Sequence, residues 1–481
     1  MKNSRLTIII CFWGLLFGIS AHSQTKKWTL EECIYHALEH NITIKNTALD
    51  LEIADIDKTG AIGNFLPTIN ASTSHSWNIG LNQNITTGLL ENQTIQFTSA
   101  GLQMGVDIYN GLQNQKKLRR ANLSKVASQY QLTKMQEDIS LNVANAFLQI
   151  LFNKENLKVQ NDKLSNDVKQ MERSAQLLEA GIIPRVDLLD MKATVAADEQ
   201  RVIAAENTLL ISKLSLAQLL QLDDFASFDV VDQEYEASEN SLLLQTPLAI
   251  YEKAKESRVE LKIARNNLEI AEKDLSILKG SYQPRLQGFY NFNTRSANSD
   301  RITGFEVNPL VPTVPIGVVE ATNQVVVQPN FTSVSDGPLP IFDQFDLNKG
   351  QSLGVQLTIP ILNGFVTKTN VEKSKVAVER GKIAYEQEEL NLQRNVYTAF
   401  TDAKGALNSY EASLVTLEAR QEAFISAKER FEVGLMNAFD YNQSQTLLVN
   451  AQSEVLRTKY DYIFKTKILE FYFGIPIIQK P

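Results

Sequence analysis

Two periodicities organise the chain. From residue 112 to about 180, apolar side chains return at every seventh position, at Val143, Ile150, Leu157, Leu164, Met171 and Leu178, with Val168 and Ala175 between them. A seam that stays apolar for five heptads predicts a long coiled-coil helix. At 1.5 Å per residue, about 70 residues would extend about 105 Å, so such a helix must lie against others of similar length. Elsewhere the period is two. After Pro67, Ile69, Ala71, Thr73, His75, Trp77, Ile79 and Leu81 alternate with Asn and Ser, and a returning segment sets Ala100, Leu102, Met104, Val106 and Ile108 against Gly101, Gln103, Gly105 and Asp107. This alternation predicts strands with one apolar face and one polar face.

Both patterns occur twice. Asn110-Gly111 recurs as Asn363-Gly364 and Gly181 as Gly434; 363 less 110 and 434 less 181 both give 253. At that offset the heptad seam maps onto Val396, Ala403, Tyr410, Leu417, Phe424 and Phe431. Leu51-Glu52-Ile53-Ala54 returns as Leu268-Glu269-Ile270-Ala271, and Pro67 as Pro284, at an offset of 217 (284 less 67). One unit has been built twice, as 24–245 and 246–481, and the change of offset places an insertion of about 36 residues between Pro284 and Asn363.

Each copy reads as a half-helix, two strands, a long helix, a tight turn and a second half-helix. Thr29-x-x-Glu32 is a capping box opening a helix expected over 29–64, and its duplicate spans 246–281. With 186–222 and 437–473, two half-helices end to end reach about 110 Å and match one long helix. In the second copy Leu286, Tyr290 and Phe292 start one strand, and Leu353, Val355, Leu357, Ile359 and Ile361 form the other. Pro67, Asn110, Gly111, Pro284, Asn363 and Gly364 read as strand–helix joints, where glycine relieves the change of direction. The stretch 223–245, with Phe228-Asp229-Val230-Val231, and the tail beyond Gly474 are expected to form a girdle where half-helices meet. The insertion around 297–348 is rich in Pro, Val and Asn without a sustained period, and reads as a long extracellular loop.

Composition narrows the function. With 43% hydrophobic and 21% charged residues the 481-residue chain is neither disordered nor unusually greasy. A net charge of −8 with no basic arm argues against a nucleic-acid partner. Lys2 and Arg5 before an apolar run, then Ala21-His22-Ser23, predict a cleaved signal peptide at 1–23, which leaves Cys33 as the only cysteine and no internal disulfide. In an exported chain, strands of about ten residues with one apolar face fit a bilayer β-barrel with a wet lumen; a soluble sandwich is the other reading. Four strands cannot close a barrel, and lipid tolerates no open edge, so several copies are needed: a dimer, a trimer or more. His36 and His40 are four apart on a helix but lack a third ligand, and no HExxH, phosphate loop or nucleophile elbow is present. Neither an enzyme, a metal nor a cofactor is expected.

The turns carry the remaining signal. Gly181 and Gly434 suit the left-handed conformation that ends a helix, Pro184 suits the first turn of the helix that returns, and Asp187 and Asp440 lie near helix N-termini, where negative charge is favoured. TLEECIYHALEHN with LEIADIDKTGAIGNFLP, the YNG and ILNG boundaries, and the turns LEAGIIPRVDLL and FEVGLMNAFDYN, in order and twice over, resemble the TolC-type outer-membrane efflux proteins across essentially the whole mature chain. That resemblance implies a mainly α fold with transmembrane β: a homotrimer whose four strands per protomer form a twelve-stranded barrel in outer-membrane lipid, continued by a periplasmic coiled-coil α-barrel. It implies a passive exit duct for small molecules, energised by an inner-membrane pump of RND or ABC type through a periplasmic membrane-fusion adaptor. The tips Gly181, Ile182, Ile183, Asp187, Gly434, Leu435, Met436 and Asp440 would then form the mouth where the adaptor docks. Type I protein secretion is the alternative within the family, and a secreted coiled-coil structural or adhesive protein the alternative outside it.

Overall fold

The computed structural model describes residues 27–83, 88–223, 227–233, 235 and 241–475; the expected signal peptide and the tail from 476 onward lie outside them. The chain divides into two units, one of Met1–Asp55, Leu123–Ile270 and Val378–Pro481, the other of Ile56–Asn122 and Ala271–Ala377.

The first unit is helical and is built from two copies of one arrangement. Its elements are α1 (Leu30–His40), the start of α2 (Ile42–Gly63), most of α3 (Gln113–Glu179), α4 (Arg185–Leu220), α5 (Pro247–Ser257), the start of α6 (Val259–Gly280), most of α8 (Val366–Glu432) and α9 (Ala438–Phe473). The expected capping box is present: Glu32 N–H donates to Thr29 Oγ1, and Thr29 N–H to Glu32 Oε2. Two cores result. One gathers Cys33, Ile34, Ala37, Val143, Phe147 and Leu216, the other Ile250, Tyr251, Ala254, Val396, Ala399 and Leu469, largely the same positions at offsets of 217 and 253. Strands β1 (Lys27–Trp28) and β4 (Asp229–Val230) pair in parallel, and Lys154 ties them to α3 by donating to the Val230 carbonyl and bridging Asp229 and Asp232. The strand expected within 228–231 is thus the two residues Asp229–Val230.

One expectation needs correction. The half-helices expected over 29–64 and 246–281 are each broken, at Asn41 and Arg258, and 258 less 41 is again 217. At each break one residue turns extended, and its polar side chain is held by hydrogen bonds. Asn41 Oδ1 accepts from Thr43 N–H at 2.9 Å and its Nδ2 donates to the Leu219 carbonyl at 3.0 Å. Arg258 donates to Glu137 and Glu260, both at 2.9 Å, and lies 3.8 Å from the Phe471 ring centroid. The heptad seam is not fully covered by its own chain. Val143, Ile150, Val396 and Ala403 are buried, whereas Leu157, Leu164, Met171 and Leu178, with Tyr410, Leu417, Phe424 and Phe431, are half-buried. In that stretch of α3 the buried positions are polar: Lys163, Asp167 and Ser174.

The second unit holds a four-stranded antiparallel sheet in the order β10-β5-β3-β2, from β2 (Thr68–Gln83), β3 (Leu90–Asn110), β5 (Arg285–Ala297) and β10 (Gly350–Thr358). Pro67 and Pro284 stand immediately before β2 and β5, as expected, while Ile359 and Ile361 fall beyond the end of β10. The insertion carries regular structure of its own. It forms two antiparallel pairs, β6 (Arg301–Val307) with β9 (Phe331–Asp336) and β7 (Thr313–Val319) with β8 (Gln324–Pro329), followed by α7 (Ile341–Leu347).

Candidate functional site

The sheet sorts its side chains as the alternation demands. Ile69 pairs with Met104, Met104 with Tyr290 and Tyr290 with Leu353, an apolar row across all four strands. One residue away, Asn70, Gln103, Asn291 and Ser352 form the equivalent polar row. The polar face is knit together locally: Asp107 accepts from Arg285 and Gln287, and the hydroxyls of Ser74 and Ser99 are 2.7 Å apart. The apolar face is bare within the chain, with Ile79 81% and Leu353 80% exposed. Strands β2 and β10 are the sheet's outer strands, each paired on one side only. Among the described residues no helix is long and apolar enough to cross a membrane.

The joints between strand and long helix repeat at 253. Gly111 and Leu112 in the first copy, and Gly364 and Phe365 in the second, are consecutive residues with φ between 60° and 70°. Sequence reading finds the glycines but not the leucine and phenylalanine, whose left-handed backbone is unusual for large side chains. Asn110 Oδ1 accepts from Gln113 N–H at 3.1 Å and so caps α3. The first joint is the tighter one: a Cβ on Gly111 would sit 2.3 Å from the Gly280 carbonyl oxygen, whereas one on Gly364 would meet nothing within 4 Å.

The two tips share a backbone and differ in chemistry. Gly181 and Gly434 have φ of 74° and 79°. Ile182 N–H donates to the Leu177 carbonyl and Leu435 N–H to the Arg430 carbonyl, the six-to-one bond of a Schellman motif. Pro184 stands one residue before the helix, as an N-cap without a side-chain bond. Asn437 caps α9 by accepting from Asp440 N–H at 2.8 Å. Ile182, Leu435, Val433 and Phe439 are strongly exposed, Ile183, Met436 and Asp187 are half-buried, and Asp440 is exposed. Val433 and Phe439 belong to the turn FEVGLMNAFDYN but are not among the tip residues singled out in the sequence.

Beside the second tip lies a cluster the sequence did not announce. Lys163 Nζ donates to Asp167 Oδ2 at 2.7 Å and bridges to Asp198 of α4, with all three side chains almost wholly buried. Arg201 donates to the other oxygen of Asp198 at 2.8 Å. Burial and the neighbouring Asp198 carboxyl push the Asp167 carboxyl up to about 6. Burial also acts on Asp198, but hydrogen bonding to Asp167 and Lys163 holds it below the ordinary carboxylate range. The only sequence signal is that residues 163 and 167 adjoin the seam positions 164 and 168. His36, by contrast, meets the Trp28 ring edge-on and lies tilted beside the His40 ring, and among the described residues no group of three His, Cys, Asp or Glu could hold a metal ion.

The chain is similar to the outer membrane protein TolC of Vibrio cholerae, 23% identical over 453 residues, which are 90% of this chain and 88% of that one. It is also similar to the alkaline protease secretion protein AprF of Pseudomonas aeruginosa, 24% identical over 131 residues, 26% of each. Among solved structures, the CmeC outer membrane channel of Campylobacter jejuni matches with a TM-score of 0.73 and 15% identity, over 94% of this chain and 87% of that one. The model of the outer membrane efflux protein family matches residues 33–221 and 250–469, one segment in each copy. With its duplicated rods, amphipathic sheet and paired tips, the chain belongs to the outer membrane efflux protein family.

Proposed function

We propose that the chain is the outer-membrane exit duct of a tripartite efflux system, passing small toxic molecules from the periplasm to the outside without hydrolysing anything itself. The observation that carries this reading is the four-stranded sheet with one bare apolar face and two half-paired outer strands. Such a sheet fits lipid only when its edges are closed, and three copies supply the twelve strands of a barrel with a polar lumen. A homotrimer also gives the half-buried seam residues of α3 and α8 neighbouring helices to pack against. The energy then comes from an inner-membrane pump through a periplasmic adaptor. The exposed Ile182, Leu435 and Phe439 at the tips are the apolar anchors on which an adaptor docks, with Gly181, Ile183, Asp187, Gly434, Met436 and Asp440 shaping the turns around them.

Type I protein secretion is the second reading, favoured by the likeness to the secretion protein AprF. Deleting the gene separates the two. Efflux predicts heightened sensitivity to several unrelated toxic compounds with exported-protein levels unchanged; loss of one exported protein with unchanged sensitivity would transfer the chain to secretion. The tips are tested by Gly181→Val and Gly434→Val. Neither site has an obstructing atom within 4 Å, so the backbone alone is strained, by about 1–2 kcal/mol. The expected result is impaired export from a trimer that still assembles. Loss of the trimer would make the turns elements of folding rather than docking.

A further inference from the structure

The cluster under the second tip joins three helices. From α3 come Lys163 and Asp167, and from α4 come Asp198, Arg201 and, along the same groove, Asp190. Helix α9 carries no charge between Asp440 and Glu454 and presents Asn442, Gln445 and the Tyr441 hydroxyl, while Glu432 of α8 acts on Tyr441 from the other side. Lys163 is the single buried cation for two buried carboxylates, because Arg201 is half exposed and reaches only Asp198. The Asp167 and Asp198 carboxyls lie within hydrogen-bonding reach of each other, with the Gln445 side chain beside Asp167. Three buried oxygens, Asp167 Oδ1, Asn442 Oδ1 and Gln445 Oε1, have no donor. Two carboxylates in contact that share one ammonium cannot both stay ionised cheaply in a dry site. The smallest group that corrects the charge and also supplies a donor is a proton.

We propose that Asp167 and Asp198 share a bound proton that latches α3, α4 and α9 together beside the second tip, and that its release loosens this joint. Water reaches the cluster through a groove of about 330 Å³ between α4 and α9, lined by Asp190, Thr194, Asp198, Arg201, Phe439 and Asn442. The direction follows from the carboxyls. Asp167, raised to about 6, favours the packed state when protonated, so its contribution is present at acid pH and is lost as pH rises through about 6. Asp198, held below its ordinary value, contributes while ionised and loses that contribution only when pH falls below the usual carboxylate range near 3.8. The joint is therefore tightest near pH 4, loosens progressively as pH rises to about 6, and is loosest above that.

The test uses the purified full chain in detergent, with no partner present, so its outcome is independent of adaptor docking. Hydrogen exchange of peptides covering residues 190–202 and 438–446, corrected for the intrinsic pH dependence, should be about tenfold slower at pH 5.0 than at pH 7.5, the factor supplied by one pH unit below the Asp167 value of about 6. Asp167→Asn keeps the shape and fixes the neutral form. It should give the slow exchange at both pH values. Infrared spectroscopy of the unmodified protein should show a protonated carboxylic acid that disappears as pH is raised through about 6. Exchange that does not change with pH, a variant that keeps the full pH dependence, or the absence of that acid band would each overturn the proposal. The infrared measurement decides the matter even if the variant does not fold.

Discussion

The two copies of the repeat share a backbone and part company in what they bury. At the offset of 253, Lys163, Asp167 and Asp198 correspond to Thr416, Arg420 and Ala451, and Arg201 corresponds to Glu454. In the second copy Ala451 is buried without charge, the nearby buried polar contact is the neutral 2.8 Å bond between Ser413 and Thr458, and Glu454 pairs on the surface with Arg457. Duplication kept what the backbone requires and left the buried polar positions free to diverge. One coil is consequently closed by ionisable groups and the other by hydroxyls.

That contrast can be attacked at three depths. The deepest is the joint. Gly111→Val drives a side chain into the Gly280 carbonyl and should abolish assembled protein, whereas Gly364→Val meets only its positive φ and should cost about 1–2 kcal/mol. Heat resistance of the assembled species on denaturing gels reads both, and equal losses would mean the joints are equivalent after all. Next comes the cluster. Lys163→Met leaves buried Asp167 without a cation and Asp198 with Arg201 alone, and should destabilise its coil by about 3–5 kcal/mol. Thr416→Met at the exposed counterpart should stay within about 0.5 kcal/mol, as thermal unfolding would show. The smallest effect is at the caps. Asn437→Ala removes the bond to Asp440 N–H and should cost about 1 kcal/mol, seen as faster hydrogen exchange in the first turn of α9. Pro184→Ala removes no side-chain bond and should leave α4 nearly unchanged.

What the sequence revealed followed from period and repetition. The long helices, the sheet's alternation, the Pro and Asn-Gly joints and the left-handed glycines were legible because each is enforced by a local rule and appears twice. The breaks at Asn41 and Arg258 were not, since a single extended residue interrupts the backbone while apolar spacing resumes on the next turn. The strands of the insertion were hidden by register shifts, between Ile302 and Gly304 and between Pro315 and Gly317, which spoil a period of two. The Lys163 cluster was hidden for another reason. A Lys and an Asp four apart are the ordinary pattern of a solvated helix face, and only the packing of α4 and α9 over them makes them interior.

The half-paired strands β2 and β10 also dictate an order of events during biogenesis. A lone polypeptide entering hydrocarbon would leave a column of amide groups unsatisfied along each flank, at several kcal/mol apiece, so membrane entry must wait for, or coincide with, the meeting of sister chains. For the proposed trimer, stoichiometry would thereby be proofread by the bilayer itself, and a shortfall of newly made protein would strand monomers on the aqueous side rather than yield leaky, incomplete pores.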